Sequence, residues 1–397
     1  MISIKSKVEC CGCSACFSIC PRNSIKMNKD SEGFQYPIVD IERCTNCGLC
    51  ERVCPIIKAK SEGILCEECN KEAFIVQHRD KNILKDSTSG GFFSALCSYV
   101  LKNNGIVFGA AYDENFKIRH TWISDERDLN KFRNSKYTQS EIGDAFKECK
   151  KFLIENKLVC FSGTPCQIAG LKSYLNKEYT NLISVDVVCR GVPSPYLFEK
   201  YIEWLGGGQS IDTIKFRDKF YGYFCSTMSV YYRNGKVMRR DIHTDPMLSF
   251  FFQDYCSRPS CHSCAFKTID RISDFTMFDC WHANMFNKSF GKLGATALVV
   301  HNNKAKEVLN YVSDYLKICI PVNVELLISL DGSMFTQSVS PNPKKELFFM
   351  DLEKYGFEYV LHKYHRVTIK NSIKNSIKIF LMKTGIFNKI MHYKFKK

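Results

Sequence analysis

From residue 86 onward the apolar positions of this chain alternate between two rhythms. After a Ser/Gly loop, apolar residues recur at helical steps from Phe92 to Lys102, an Asn-Gly pair stops them, and Ile106 to Tyr112 runs on as a strand. The segment KYTQSEIGDAFKECKKFL opens with a capping box from Thr138 to Glu141 and carries Ile142, Phe146, Cys149 and Leu153 on one helical face. An apolar strand from Leu158 to Phe161 leads through Ser162 and Gly163 to Thr164, a good N-cap, and Pro165, suited to a first helical position. After that helix, Leu182 to Val188 reads as a buried strand. The pattern predicts a strand-helix-strand unit with parallel strands, a layout that puts sites at strand carboxyl ends. Near the end of the chain Ile369, Ile373, Ile377, Phe380 and Leu381 recur at three- and four-residue steps beside Lys370, Lys374, Lys378 and Lys383, which predicts a basic amphipathic helix.

A length of 397 residues implies about two or three domains at ~150 residues each, and 45% hydrophobic content supplies their cores. No apolar run approaches the ~18 residues that span a bilayer. The opening MISIKSKVECCGC contains no apolar signal segment, so the 22 cysteines are expected in a reducing cytoplasm rather than in disulfides. The net charge of +15 suggests nucleic acid until it is located: Leu361 to Lys397 holds ten Lys or Arg and no Asp or Glu. The charge belongs mainly to the tail, and a zinc-dependent nucleic-acid binder is disfavoured; no nucleic-acid partner is expected.

The cysteines change the picture most. Cys10, Cys13, Cys16 and Cys20 precede Pro21, and Cys44, Cys47, Cys50 and Cys54 precede Pro55, so C-x2-C-x2-C-x3-C-P occurs twice. In two-cluster ferredoxins three cysteines of such a run hold one cubane and the fourth holds the other. Cys10, Cys13, Cys16 and Cys54 are therefore assigned to one [4Fe-4S] cluster, and Cys44, Cys47, Cys50 and Cys20 to its partner. Zinc favours two separated C-x2-C pairs and fits this spacing poorly. Cys11 lies off the spacing and reads as a bystander.

Further on, the loop Ser87, Thr88, Ser89, Gly90 and Gly91 feeds a helix, where free amides suit a phosphate as well as they suit a plain cap. Lys136, Tyr137, Gln139 and Ser140 flank the expected capping box and by pattern are loop residues. Cys166 falls in the first turn of a helix, where the dipole favours a thiolate, and Cys189 at a strand end on the same edge. Cys261 and Cys264 form a C-x2-C pair. Two strand-end thiols with one such pair can make a four-cysteine site; two buried cysteines and a stray pair explain the residues equally well. Cys66 and Cys69 form a further C-x2-C, read as surface thiols, or alternatively as partners of Cys261 and Cys264. Cys256 and Cys280 are spares.

In order, the ferredoxin runs, STSGGFFSAL, KYTQS, FSGTPCQIAGL, VDVVCRGVPSP, KFRDK, CHSC and SDFTMFDCW resemble the family of coenzyme F-420 hydrogenase and dehydrogenase beta subunits, in variants with an N-terminal two-cluster ferredoxin domain. The resemblance spans roughly residues 5 to 340. It implies an FAD-containing oxidoreductase with a third [4Fe-4S] cluster on Cys166, Cys189, Cys261 and Cys264. It also implies flavin contacts from Ser87 to Gly91 and from Lys136, Tyr137, Gln139 and Ser140, with Gly163, Thr164, Pro165 and Gln167 in a turn beside flavin and cluster. Arg190 stands where the family often has His, and Phe278, Asp279, Cys280 and Trp281 where it has Gly-Asp-Phe-Trp; these departures bear on the substrate rather than on the clusters.

The expected fold class is α+β: a bacterial-type two-[4Fe-4S] ferredoxin domain at 1–60, then a mixed α/β flavin and iron-sulfur domain with at least one βαβ unit. That second domain divides into a flavin-contacting part at 61–155 and a cluster and flavin part at 156–340, and a basic tail follows at 341–397. The expected function is an oxidoreductase that passes electrons between the clusters and FAD to an organic substrate or a deazaflavin-type coenzyme, with no catalytic side chain assigned. Its alternative is a non-catalytic electron-transfer subunit wiring a partner enzyme. The partners expected are a redox protein or a small-molecule substrate, in the cytoplasm, with peripheral contact of the tail at the inner face of the membrane.

Overall fold

The computed structural model describes residues 1–61, 63, 71–365 and 367, with 372–373, 376–377, 379–381, 384 and 386 beyond them. Cys66 and Cys69 lie outside the described residues, as does most of the expected amphipathic tail. Among the described residues no helix is long and apolar enough to cross a membrane.

The first strands, β1 (Ile25–Lys29) and β2 (Gln35–Val39), pair antiparallel within the segment of the two cysteine runs. Five more follow: β3 (Glu72–His78), β4 (Ile106–Tyr112), β5 (Ile118–Ile123), β6 (Val159–Gly163) and β7 (Leu182–Val187). Next, β8 (Ile211–Asp218), β9 (Thr227–Tyr232) and β10 (Val237–Asp241) make a separate antiparallel sheet, and β11 (Phe275–Asp279), β12 (Thr296–Val300) and β13 (Leu316–Val322) complete the chain's strands among the described residues. The central sheet has eight strands in the order β13-β3-β12-β11-β7-β6-β4-β5. β4, β6, β7 and β11 run parallel at its middle, and antiparallel strands close both sides. The fold is thus mixed α/β, and the strand-helix-strand unit is present as β6, the helix Pro165–Leu175 and β7, with Gly163 opposite Asp186. Strands from both sides of residue 155 join this one sheet.

Strand alternation builds a core on each face. Val107, Cys160, Ile183 and Val185 point to one face, where the helices Phe92–Lys102 and Asn303–Val312 cover them with Phe92, Val100, Ala305 and Leu309. Ile106, Phe108, Val159 and Phe161 point to the other, under Phe146, Ile168 and Leu171 of the helices Ala145–Ile154 and Pro165–Leu175. The expected helix and strand at 92–102 and 106–112 have the bounds read from the sequence. The capping box does not. The helix begins at Ala145 after Asp144, Thr138 Oγ1 instead donates to the Pro193 carbonyl at 3.2 Å, and the Glu141 amide donates to the Ile118 carbonyl at the start of β5. Long-range partners outcompeted the local cap.

The ferredoxin-type segment is packed into the second core, where Cys11, Cys13, Ala15, Val53 and Ile56 share one apolar cluster with the Pro165–Leu175 helix. Gly170 of that helix permits the contact: a Cβ there would lie 2.8 Å from Cys13 Cβ. The join is stapled by Arg258, wholly buried, whose Nε donates to the Cys10 carbonyl at 2.8 Å, Nη1 to Gln139 Oε1 at 2.8 Å and Nη2 to the Gln35 carbonyl at 2.9 Å. Its guanidinium also lies 4.3 Å from the Tyr36 ring centroid. Gly12, at φ +70, lets the backbone pass, since a Cβ there would sit 2.8 Å from Arg258 Nη1. Replacing Arg258 by Met removes the donor from three acceptors, the Gln139 amide oxygen buried and the Cys10 and Gln35 carbonyls partly buried. The expected loss is roughly 3–5 kcal/mol, read by denaturant unfolding; an unchanged midpoint would show that the staple is dispensable.

Candidate functional site

Three cysteine sets converge at the ferredoxin-type segment and the carboxyl edge of the parallel strands. Cys20, Cys44, Cys47 and Cys50 line one small cavity with Ser24, Ile25 and Val39. Three of these sulfurs accept amide hydrogens: Cys50 from Ile2 at 3.2 Å, Cys20 from Ser24 at 3.4 Å and Cys44 from Asn46 at 3.4 Å. Such bonds favour thiolates and tune iron-sulfur sites. Burial acts to raise the Cys20 thiol, but the Ser24 hydroxyl and amide overcome it, so the net shift is downward. Cys47 is exposed, which makes this the outermost set.

Cys10, Cys13, Cys16 and Cys54 form the second group, each within electrostatic reach of others in the set. Burial, with Cys10 and Cys54 nearby, pushes the Cys16 thiol up to about 12. The third group is Cys166, Cys189, Cys261 and Cys264, which line a single cavity of about 170 Å³. Cys166 sits in the first turn after a true capping box, in which the Thr164 amide donates to Gln167 Oε1 at 2.9 Å, and Thr164 Oγ1 lies 3.1 Å from its sulfur. Burial pushes Cys261 up to about 12 and raises Cys189 further. Among the described residues no three His, Cys, Asp or Glu side chains close on a point at single-ion distance. Four thiols ringing a cavity form a donor set suited to a multi-iron cubane, whose iron charge offsets the cost of burying thiolates.

Cys11 is the residue that sequence reasoning missed. It lines the third cavity, and its thiol lies within electrostatic reach of Cys13 and Cys166. Off-spacing in its own run, it gave no local signal.

Beside this lies a cavity of about 670 Å³, the size of a cofactor site. Of the expected flavin-contacting residues, Ser87, Thr88, Ser89, Gly91, Lys136, Tyr137, Ser140, Gly163, Thr164 and Gln167 line it. Three do not. Gly90 packs behind the loop with its amide on Thr296 Oγ1 at 2.9 Å, Gln139 turns to the Cys11 carbonyl and Arg258, and Pro165 lines the cysteine cavity instead. The sheet explains the convergence: Asp279 pairs with Thr296 and Val76 with Thr296, so the end of β11, the start of β12 and the loop after β3 meet at one edge.

Sequence reasoning also left Arg133, His120 and Arg217 unassigned, and all three line the large cavity. Arg217 is buried; burial works against its charge, but Asp279 at 2.9 Å and Tyr137 outweigh it and keep it protonated. Its guanidinium lies 5.0 Å from the Trp281 ring centroid. Burial drives Lys136 down to about 7, with Nζ directed to the Arg133 and Asn134 carbonyls. Burial also drives His120 down to about 4, so it is neutral: Nε2 donates to the Ser162 carbonyl at 2.9 Å, and Nδ1 accepts from Ser140 at 3.0 Å. The Phe92–Lys102 helix starts at Gly91, φ +80, with no side-chain cap, and Phe92, Phe93 and Ser94 of its first turn line the cavity beside Arg133. Uncapped amides next to an arginine suit a phosphate. Tyr137, Phe251, Phe252 and Trp281 offer ring surfaces elsewhere in the same cavity. The residues present therefore fit a dinucleotide such as FAD.

Residues 156–321 match the family described as the C terminus of the beta subunit of coenzyme F420 hydrogenase/dehydrogenase, and residues 9–56 match the 4Fe-4S dicluster domain. The chain is similar to the F subunit of F(420)H(2) dehydrogenase from Methanosarcina mazei, 22% identical over 167 residues, covering 40% of this chain and 46% of that protein. It is also similar to an uncharacterized ferredoxin of Methanocaldococcus jannaschii, 36% identical over 52 residues, covering 13% of this chain and 66% of that protein. The chain thus spans less than two thirds of the length of either curated relative. A solved structure of the F420-reducing [NiFe] hydrogenase complex from Methanosarcina barkeri aligns at TM-score 0.42 and 16% identity, covering 76% of this chain and 93% of that one. The chain therefore joins a 4Fe-4S dicluster domain to the C-terminal region of the family of coenzyme F420 hydrogenase/dehydrogenase beta subunits, as the sequence resemblance implied.

Gly90 tests the loop. A Cβ there would lie 2.3 Å from both the Thr296 amide nitrogen and the Val76 carbonyl oxygen. Gly90→Ala is expected to cost about 3 kcal/mol, high in the usual range for overpacking, seen as a lower Tm; an unchanged Tm would mean the loop shifts without cost.

Proposed function

We propose that this chain is an iron-sulfur flavoprotein oxidoreductase with three [4Fe-4S] clusters and one FAD. The observation that carries this reading is continuity: Cys189, Arg190, Gly191, Val192 and Thr164 line both the four-cysteine cavity and the large cavity, so one wall separates a cluster site from a cofactor site. When bound, FAD supplies two-electron hydride chemistry and the clusters supply one-electron steps. The chain's own residues bind and orient. Arg133 and the first-turn amides at Gly91 hold phosphate, the aromatic side chains hold rings, and Arg217 with Asp279 presents a fixed charge pair beside Trp281. The substrate is an organic molecule or a deazaflavin-type coenzyme. Arg190, bound to Asp254 at 2.7 Å and to the Phe252 carbonyl, shapes the wall where this chain departs from its family.

A second reading, an electron-transfer subunit without chemistry of its own, is favoured by the outermost cysteine set. Cys47 is exposed, and Ile38 and Ile41 in the same segment are 54% and 74% exposed, as at a surface made for a redox partner. Flavin with turnover by the isolated chain supports the first reading; clusters without flavin support the second.

Anaerobically purified protein is expected to hold about twelve irons and one FAD. Single replacement of Cys166, Cys189, Cys261 or Cys264 by Ser is expected to remove about four irons and spare the rest. About eight irons in the unaltered chain would leave the ferredoxin clusters and discard the third.

The tail is assigned to the inner face of the cytoplasmic membrane. Ile373, Ile377 and Phe380 are exposed at 56%, 55% and 62%, in a segment with no acidic residue, and each lysine near an anionic surface contributes about 1 kcal/mol. The full chain is expected to sediment with anionic liposomes in a salt-sensitive way, and a chain ending at Val360 is not; equal behaviour of the two would discard the tether.

A further inference from the structure

The third cavity is lined by five thiols, whereas a cubane takes four. The fifth, Cys11, belongs by sequence to the ferredoxin-type segment and by position to the other half of the molecule. It is 7% exposed and packs in one apolar cluster with Cys13, Cys166 and Cys264. Its neighbours fix it there. The Cys11 carbonyl accepts from Gln139 Nε2 at 3.0 Å, the Cys10 carbonyl accepts from Arg258 Nε at 2.8 Å, and Gly12, next in the run, has no room for a side chain against Gln139 and Arg258. Cys13 in turn presses on Gly170, one turn along the helix that Cys166 opens.

We propose that Cys11 is a positioning residue shared by two cluster sites: it binds neither cluster, and its thiol donates a hydrogen bond to a ligand sulfur at the junction between Cys13 of one cubane and Cys166 of the third. This rests on the three-cluster reading above. The junction has two consequences. Cys11, Cys13 and Cys166 pack in one apolar cluster between the two sites, so an electron leaving a reduced first cubane would enter an oxidised third with no bond made or broken. The hydrogen bond stabilises the more negative, reduced state of the cluster whose sulfur accepts it, which raises that cluster's potential. Cys11 has one thiol hydrogen and two flanking ligand sulfurs, so the effect falls on one or both of these clusters. The set at Cys20, Cys44, Cys47 and Cys50 lines a separate cavity that Cys11 does not reach, and it serves as an internal control.

The test uses the full chain, anaerobically purified, as the unaltered protein, Cys11→Ala and Cys11→Ser. Iron and sulfide are counted, and each cluster's midpoint potential is followed by redox titration with electron paramagnetic resonance. The expected result is an unchanged iron count in both variants. In Cys11→Ala the potential of the first or third cluster moves negative while the outermost stays fixed, and Cys11→Ser, which keeps a donor, restores most of the shift. Loss of about four irons in Cys11→Ala would overturn the proposal by making Cys11 a ligand. Potentials unchanged in Cys11→Ala at full iron content would overturn it by making Cys11 packing alone. If the unaltered chain itself holds only about eight irons, it is the three-cluster reading that fails, a result distinct from both.

Discussion

The structure depends on one buried cation. Arg258 is wholly buried, and its charge is met by two carbonyls, one side-chain amide oxygen and an aromatic face rather than by a carboxylate. A planar fork with donors on three edges can satisfy Cys10, Gln35 and Gln139 at once, which a lysine could not. Those acceptors come from the first cysteine run, from β2 and from the loop before the Ala145–Ile154 helix, so a single side chain registers the ferredoxin-type segment against the central sheet. The same charge acts on the chemistry. The Cys11 contact and burial push the Cys166 thiol up, burial pushes Cys261 up, and Arg258 works against both, favouring their thiolate forms.

That registration sets the order of the sites. The exposed cysteine set lies outermost, the Cys10 to Cys54 set lies between it and the sheet, and the third set opens on the large cavity through a shared wall. None of this follows from the sheet alone. A doubly wound parallel core offers a site at its carboxyl edge, but here β12, antiparallel to β11, starts there with Thr296, and β3, antiparallel to β12, ends there and adds the Ser/Gly loop. Lys219 then ties the loop down, its Nζ reaching the Leu84, Ser89 and Leu293 carbonyls, and burial lowers it to about 7 because no carboxylate contacts it directly.

Local signals were legible and distant ones were not. The two cysteine runs, the 92–102 helix and the β6-helix-β7 unit each carry their own instructions: fixed spacing, a glycine stop, and a Thr-Pro start with Gln167 closing the box. The Thr138 to Glu141 box had the same local form and misled, because Thr138 found Pro193. Arg258 stands in RPSC with nothing nearby to mark it, and Arg217 sits in a strand whose partners, Tyr137 and Asp279, come from two other elements. Gly90, Gln139 and Pro165 were grouped with the cavity through the family resemblance, whereas Gly90 and Gln139 bond to neighbouring elements and Pro165 lines the cysteine cavity.

A hydrogen-bonded chain runs through the wall between the two cavities. His120 bonds Ser162 at the end of β6 and Ser140, Gln167 Nε2 donates to Ser140 at 3.0 Å, and Gln167 Oε1 holds the Thr164 amide whose hydroxyl lies 3.1 Å from Cys166. Every donor in that relay has an acceptor, and the imidazole is neutral because burial holds it near 4. A satisfied neutral network costs little to bury, whereas a charged or half-paired one would be expensive and mobile.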